Sequence, residues 1–240
     1  EGANMNVRIW GNYMKNYFVG IASTTTTFGP LYMFRNIFAE SRKGHRNSTG
    51  GTMFKTGERE PFAGGRRYIF HNTAVQPGGP YNVIGRIQNT ITRNNIFDVP
   101  GRMPDETGPG IPCDYDYDFL SGGGRGTVQE KHAARINATP AGTRLFATSF
   151  GLEFYPKPYL NSIQWGALPY EFGERKVNIT DPVVMVRNPM IDGGEVLPGF
   201  NDDFKGSAPD IGAFETGAPP LEFGRRAYLK YDEGWCPWEK

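Results

Sequence analysis

A short unit recurs four times, as VRIWGNYM (7–14), LYMFRNIF (31–38), RYIFHNTA (67–74) and NTITRNNI (89–96). The unit is aligned by its asparagine, which is Asn12, Asn36, Asn72 and Asn94 in turn, at intervals of 24, 36 and 22 residues. Two intervals fit one repeat length, and the longer one indicates an insertion. A repeat at a nearly fixed spacing predicts similar units stacked side by side.

The residues on both sides of each asparagine are apolar at matched positions. Three residues before it stand Ile9, Met33, Ile69 and Ile91, and two residues after it stand Met14, Phe38, Ala74 and Ile96. Because a strand alternates its faces with period two, these columns fill an interior before and after a bend. Asparagine suits such a bend, since it tolerates left-handed backbone angles. Its amides, about 4.8 Å apart in adjacent units, can bond into a ladder.

The composition also favours many short strands joined by turns. The chain of 240 residues contains 32 Gly, 19 Pro and 14 % aromatic residues, and Gly and Pro disfavour helix interiors. The net charge of +1 gives no global field that would attract nucleic acid or an anionic membrane. No apolar run approaches the roughly 18 residues of a membrane span. We therefore expect an all-β protein without a nucleic-acid partner or a membrane span.

With these repeats, the chain resembles the pectate-lyase-like family of right-handed parallel β-helix proteins, and the likeness covers roughly residues 4–120. PMIDGG (189–194) and GFNDDFKGSAPDIGAFE (199–215) resemble the terminal segment of secreted bacterial members. The resemblance implies the C-terminal portion of a β-helix, a solenoid, with its closing segment. It also implies a secreted, cell-surface or periplasmic location and a polysaccharide ligand.

Within that fold we expect a single domain. Residues 1–124 are predicted to form the coils, with an inserted polar loop at 41–67 and a fifth coil whose bend falls on Asp116. Residues 125–240 are predicted to form irregular strands, the last coils and the closing segment. The chain enters a core strand almost at once, without the cap that a solenoid end needs. We therefore expect either upstream coils or another chain at this end.

Two columns are predicted to face outward. Trp10, Phe34 and Phe70 lie two residues before the asparagines, while Arg35, His71 and Arg93 lie immediately before them. Aromatic rings stack on sugar C–H faces, and guanidinium groups bind carboxylates in bidentate fashion. This face therefore predicts binding of an anionic polysaccharide. The alternative is that the rings stack only to hold the coils together, with local cation–π contacts.

Catalysis requires further groups. A lyase must neutralise a carboxylate and abstract a proton, for which the candidates are Arg35, His71, Arg93, Lys131 and His132. A hydrolase needs two carboxylates, and Asp116 is the central candidate among Asp114, Asp116 and Asp118. On one strand face these three could instead bind Ca²⁺, the one candidate cofactor. The alternative is that Asp replaces Asn in a solvated turn.

Asp202 and Asp203, beside Asn201, form a second candidate Ca²⁺ loop, for which a capping role is favoured. Two hypotheses for function follow from these features. The first is an extracytoplasmic β-helix protein that binds polysaccharide and degrades it as a lyase or glycoside hydrolase. The second is a non-catalytic structural or adhesive module of a larger surface assembly, to which a viral fibre component is a further variant. Whether Cys113 and Cys236 form a disulfide is left open by the sequence.

Overall fold

The fold was analysed in a computed structural model. It describes residues 5–15, 17, 19–23, 26, 28–39, 52–56, 64–75, 81–83, 87–98, 110–120, 130–134, 159–160, 186–187, 190–219, 221 and 223. Within these ranges the regular secondary structure is entirely β, which confirms the predicted class.

Three parallel sheets are built from thirteen strands of the described chain. The first contains β1 (Val7–Trp10), β4 (Leu31–Phe34), β7 (Arg67–Phe70), β10 (Thr90–Arg93) and β12 (Asp114–Tyr115). The second contains β2 (Tyr13–Lys15), β5 (Ile37–Ala39), β8 (Thr73–Val75), β11 (Ile96–Asp98) and β13 (Phe119–Leu120). The third contains β3 (Val19–Ala22), β6 (Thr52–Thr56) and β9 (Tyr81–Val83).

Successive strands enter the sheets in turn, so each pass of the chain, here called a coil, adds one strand beside the previous one. This arrangement is compatible with a parallel β-helix. A separate antiparallel pair joins β14 (Tyr159–Leu160) to β15 (Val186–Arg187). Strand β6 lies inside the stretch 41–67 that the sequence assigned to a loop, because Phe54 continues the third sheet and is buried.

The pairing register corrects one predicted anchor by one residue. Thr92, rather than Ile91, pairs with Ile69 inside the first sheet, so Asn95 instead of Asn94 follows Asn72. The fifth position is likewise Asp118 instead of Asp116. A slip of one residue exchanges the two faces of a strand. Accordingly Ile91 lies on the half-buried outer face, while Phe97, instead of Ile96, pairs with the buried Ala74.

The asparagine ladder is present in this corrected register, formed by Asn12, Asn36, Asn72, Asn95 and Asp118. Each amide Nδ2 donates to the Oδ1 of the next residue in the ladder, over 2.9, 3.0, 2.9 and 2.8 Å in chain order. Each Oδ1 also accepts the backbone N–H of the preceding residue in the ladder, as from Asn72 N to Asn95 Oδ1 at 2.9 Å. The ladder therefore satisfies buried backbone and side-chain groups together.

The left-handed backbone lies one residue before the ladder. Positive φ values of 63, 50, 53, 58 and 56° occur at Gly11, Arg35, His71, Asn94 and Tyr117. Non-glycine residues adopt this conformation at a cost of about 1–2 kcal/mol each, so the surrounding structure must impose it. We call these five residues the turn column. They mark the corner between the first two sheets.

The outer face of the second sheet is covered by residues 190–219, which we call the closing segment. Ile37, Ile96 and Phe119 point away from the interior of the coils, yet each is at most 1 % exposed. They pack in one cluster with residues of the closing segment, namely Met190, Ile211, Ala213 and Phe214. This segment therefore shares an apolar core with the coils.

A glycine permits the close contact between the closing segment and the coils. A Cβ on Gly212, whose φ is 112°, would lie 2.5 Å from Ile96 Cδ1. We expect Gly212→Ala to lower the free energy of unfolding by about 2–3 kcal/mol, measured by urea denaturation. Gly217→Ala is the matched control, since Gly217 has a φ of 82° with its nearest neighbour atom at 3.8 Å, and should cost about 1 kcal/mol. Equal costs for the two variants would contradict the tight contact.

Candidate functional site

The predicted aromatic column packs largely against protein. The rings of Trp10 and Phe34 stack on one another, with centroids 5.8 Å apart and 5° between planes. Phe200 of the closing segment places its ring edge-to-face on Phe34 at 5.4 Å and on Phe70 at 5.1 Å. Phe70 is only 5 % exposed. Phe34 and Phe70 therefore join the coils to the closing segment, while sugar binding by this column stays a prediction.

The predicted basic row also contacts the closing segment. Arg35 Nη2 donates to Phe200 O at 3.3 Å and approaches the Asp203 carboxylate at 3.5 Å. His71 Nδ1 lies 3.1 Å from Gly212 O, and Arg93 Nε donates to Glu195 Oε2 at 2.6 Å. Arg35 and His71 lie one coil apart, but the predicted place of Arg93 in this row is wrong, because Arg93 pairs with Phe70 and Asn94 follows His71 in the turn column. The three side chains nevertheless bind three parts of the same segment.

His71 is buried at the centre of this contact and is neutral. Its Nδ1–H donates to Gly212 O, which leaves Nε2 to accept from the amides of Asn94 at 3.1 Å and Asn201 at 2.9 Å. Burial, assisted by the positive charge of Arg35, lowers the pKa of His71 from 6.5 to about 3. His71 is therefore a fixed part of the interface between the coils and the closing segment.

Each candidate Ca²⁺ ligand is engaged in contacts with other parts of the protein. Asp118 is buried at the end of the ladder, where it accepts hydrogen bonds from Asn95. Asp202 accepts the N–H of Gly199 at 2.7 Å, and Asp203 lies beside Arg35. In the described ranges no three His, Cys, Asp or Glu side chains meet in a group that could hold a metal ion.

An open cleft of about 410 Å³ lies at the β12 end of the first sheet. Its walls are formed by Arg93, Cys113, Asp114, Tyr115, Asp116, Tyr117, Lys131, His132 and Glu195. The cleft brings together four of the six predicted catalytic residues, namely Arg93, Asp116, Lys131 and His132. A disulfide between Cys113 and Cys236 falls outside the described residues, because Cys236 is not among them.

The cleft contains a histidine–aspartate pair. His132 Nδ1 lies 2.8 Å from Asp116 Oδ2, and the His132 backbone N–H donates to Asp116 Oδ1 at 2.7 Å. Burial alone would raise the pKa of Asp116, but the hydrogen bonds from His132 and Tyr117 outweigh it and lower that pKa. An ionised carboxylate only accepts, so Nδ1 carries a proton, and in the neutral form of the ring Nε2 is the nitrogen with the lone pair.

Tyr117 and solvent exposure complete the arrangement of this pair. The Tyr117 ring stacks on the imidazole with centroids 4.5 Å apart, which fixes the plane of the ring. The His132 side chain is 53 % exposed, whereas that of Asp116 is 14 % exposed. A half-buried carboxylate that orients an accessible imidazole is an arrangement suited to general acid–base chemistry.

Arg93 is bound on two sides by carboxylates. Its Nη2 donates to Asp114 Oδ2 at 2.6 Å and its Nε to Glu195 Oε2 at 2.6 Å, while Nη1 donates to two backbone carbonyls. Partial burial would lower the pKa of Arg93, but these two carboxylates outweigh it and raise that pKa. Since four of its five N–H donors are engaged within the protein, Lys131 is the cation of the cleft better placed to meet an anionic ligand.

Three residues of this region were missed from the sequence. Glu195 follows directly after PMIDGG, and Tyr117 lies inside CDYDYD, so both were next to motifs already identified. Asn94 was taken for the ladder residue. The doubled asparagine, Asn94-Asn95, was the available signal, because the ladder needs one amide per coil and the other remains for a different role.

Comparison with family models, curated proteins and solved structures found no match for this chain. In the described part of the chain, no helix has the length and apolarity needed to cross a membrane. The class of protein therefore rests on the parallel sheets and on the cleft.

Proposed function

We propose that the chain is part of a right-handed parallel β-helix of the pectate-lyase-like kind, outside the cytoplasm, that binds polysaccharide in the cleft and cleaves it. The observation that carries the proposal is the His132–Asp116 pair, in which a carboxylate orients an accessible imidazole. The strand order, the stacked ladder and the resemblance of the closing segment support the fold part of the proposal.

The reaction best suited to this pair is β-elimination from an acidic polysaccharide. His132 Nε2 takes the proton on the carbon next to the sugar carboxylate, and the glycosidic C–O bond breaks as a C=C bond forms. The leaving oxygen takes a proton from water. Lys131 would neutralise the sugar carboxylate, which acidifies that C–H bond.

The test is a product assay with a panel of acidic and neutral polysaccharides. A lyase gives an unsaturated, ultraviolet-absorbing product, whereas a hydrolase gives only a new reducing end. We expect His132→Gln to lower the rate about 100-fold, because the variant lacks the general base. Lys205→Gln removes an exposed cation of the closing segment and serves as the control with unchanged rate. Wild-type rates in His132→Gln, or no product from any polysaccharide, would refute the proposal.

A second candidate is favoured by the closing segment. Phe200 and the basic row use most of the predicted glycan-contact face for packing within the chain, as a non-catalytic structural or adhesive module would. Glycan binding without product formation, equal in wild type and His132→Gln, would support this module over the enzyme.

A further inference from the structure

The Asn94 side chain forms two hydrogen bonds to the backbone of one residue of the closing segment, Glu195. Its Oδ1 accepts the N–H of Glu195 at 2.8 Å, and its Nδ2 donates to the C=O of Glu195 at 2.8 Å. The Asn94 side chain is fully buried at this contact. The two bonds fix the orientation of the Glu195 backbone much as a neighbouring strand would.

The neighbouring residue in the segment is a glycine because the amide comes so close. A Cβ on Gly194 would lie 2.9 Å from Asn94 Oδ1 and 2.8 Å from Pro209 O. Asn201, from the same segment, donates a second bond to the C=O of Glu195 at 2.9 Å. The position of Glu195 is therefore defined from both the coil and the closing segment.

These hydrogen bonds to the Glu195 backbone determine where the Glu195 side chain lies. It reaches Arg93, the residue directly before Asn94, and forms one wall of the cleft opposite Asp114. Arg93 is thereby held between one carboxylate from the coils and one from the closing segment. Such charge-assisted bonds are short and directional, so they fix the guanidinium plane.

We propose that Asn94 is the positioning residue of the cleft, which holds Glu195 against Arg93 and so makes the closing segment one wall of the site. The effect of Asn94 on polysaccharide cleavage rests on the proposed function. The contacts that join Asn94 to Glu195 and Glu195 to Arg93 do not depend on that function. On this assignment the closing segment contributes a defined side chain to the site, in addition to covering the second sheet.

The test follows the Arg93 Nε–H proton in ¹⁵N-labelled full-length protein by NMR. In the wild type this proton, donated to Glu195, should exchange slowly with water. In Asn94→Ala we expect exchange at least about tenfold faster, because Glu195 is no longer held in place. Gly194→Ala should act in the same way, because its added Cβ would push the Asn94 amide aside. Glu195→Gln is a further test variant, and it should leave folding intact because the Glu195 side chain is partly exposed.

Asp203→Ala is the control, since it removes a different contact of the closing segment, with Arg35, and should leave the Arg93 signal unchanged. Unchanged Arg93 exchange in all three test variants, with native far-ultraviolet circular dichroism, would overturn the assignment. A second arm measures polysaccharide cleavage, where we expect an approximately tenfold lower rate in Asn94→Ala. If the wild type cleaves nothing, the proposed function fails while the NMR arm still decides the role of Asn94.

Discussion

Replacing Asn72 with alanine should lower the free energy of unfolding by about 3–5 kcal/mol, as measured by urea denaturation. Asn72 stands in the middle of the ladder and is fully buried. Its loss leaves the backbone N–H and one Nδ2 hydrogen of Asn36 without their acceptor, and it removes the side-chain donor from Met33 O and from Asn95 Oδ1. Each buried group left without a partner costs about 1–3 kcal/mol, and the costs are not fully additive.

Asn12→Ala is the matched control at the first position of the same ladder. Asn12 is half-buried, and its side chain bonds Asn36 Oδ1 and its own strand at Trp10 O. We expect a cost of about 1 kcal/mol for this variant. If Asn72→Ala were no more destabilising than Asn12→Ala, the ladder would contribute nothing beyond its individual bonds.

Acid should loosen the closing segment through His71. The pKa of His71 is lowered to about 3 in the folded protein, against 6.5 when unperturbed. As the pH falls below 6.5, His71 takes up a proton in the unfolded chain but stays neutral in the folded chain. The contribution of neutral His71 to the free energy of unfolding is therefore complete above pH 6.5 and is lost progressively towards pH 3. Between pH 7 and pH 4 the loss is about 3 kcal/mol.

The measurement is the free energy of unfolding across this pH range in wild type and His71→Gln. Glutamine does not titrate, so the variant should be less stable at pH 7 but should lose the part of the pH dependence due to His71. Asp116 contributes at lower pH, because its pKa is lowered from 3.8. An identical slope between pH 6.5 and pH 4 in both proteins would contradict the role given to His71.

The sequence predicts the inward columns well but not their exact register. Ile69 and Phe38 could be placed because apolar residues recur at fixed offsets from a bend, and both are fully buried. The choice between Asn94 and Asn95 could not be made locally, since both are asparagines followed by residues that fit a strand. Only pairing with the next coil, where Asp118 accepts from Asn95, decides it.

The cleft was predictable in its parts and not in its assembly. Arg93, Asp116 and His132 were candidates by their chemistry, and stacking of coils brings the first two to the same sheet end. Asp116 and His132 are separated by 16 positions in the sequence, and His132 lies beyond the recurring units, so no repeat predicts their pairing. Glu195 comes from 102 residues beyond Arg93, and only folding of the closing segment onto the coils places it there.

The sequence indicates why the outer face of the second sheet is covered. Ile37–Phe38 and Ile96–Phe97 are apolar at consecutive positions, so their strands are apolar on both faces. Such a strand needs a second covering layer. The sequence therefore predicts that a second layer covers this face, but it does not identify the residues that form this layer.

The ladder has a direction, and that direction constrains how such a protein can lengthen. Every amide donates towards the later coil, and Asp118, the last ladder position within the described residues, has no amide N–H to donate onward. A duplicated unit of 23 residues, the interval from Asn72 to Asn95, could be inserted between existing coils and would join the chain of donors. The same unit appended after Asp118 would meet the backbone N–H of Asp118 but no side-chain amide donor. Growth by internal duplication is thus compatible with this chemistry, and aspartate acts as its terminator.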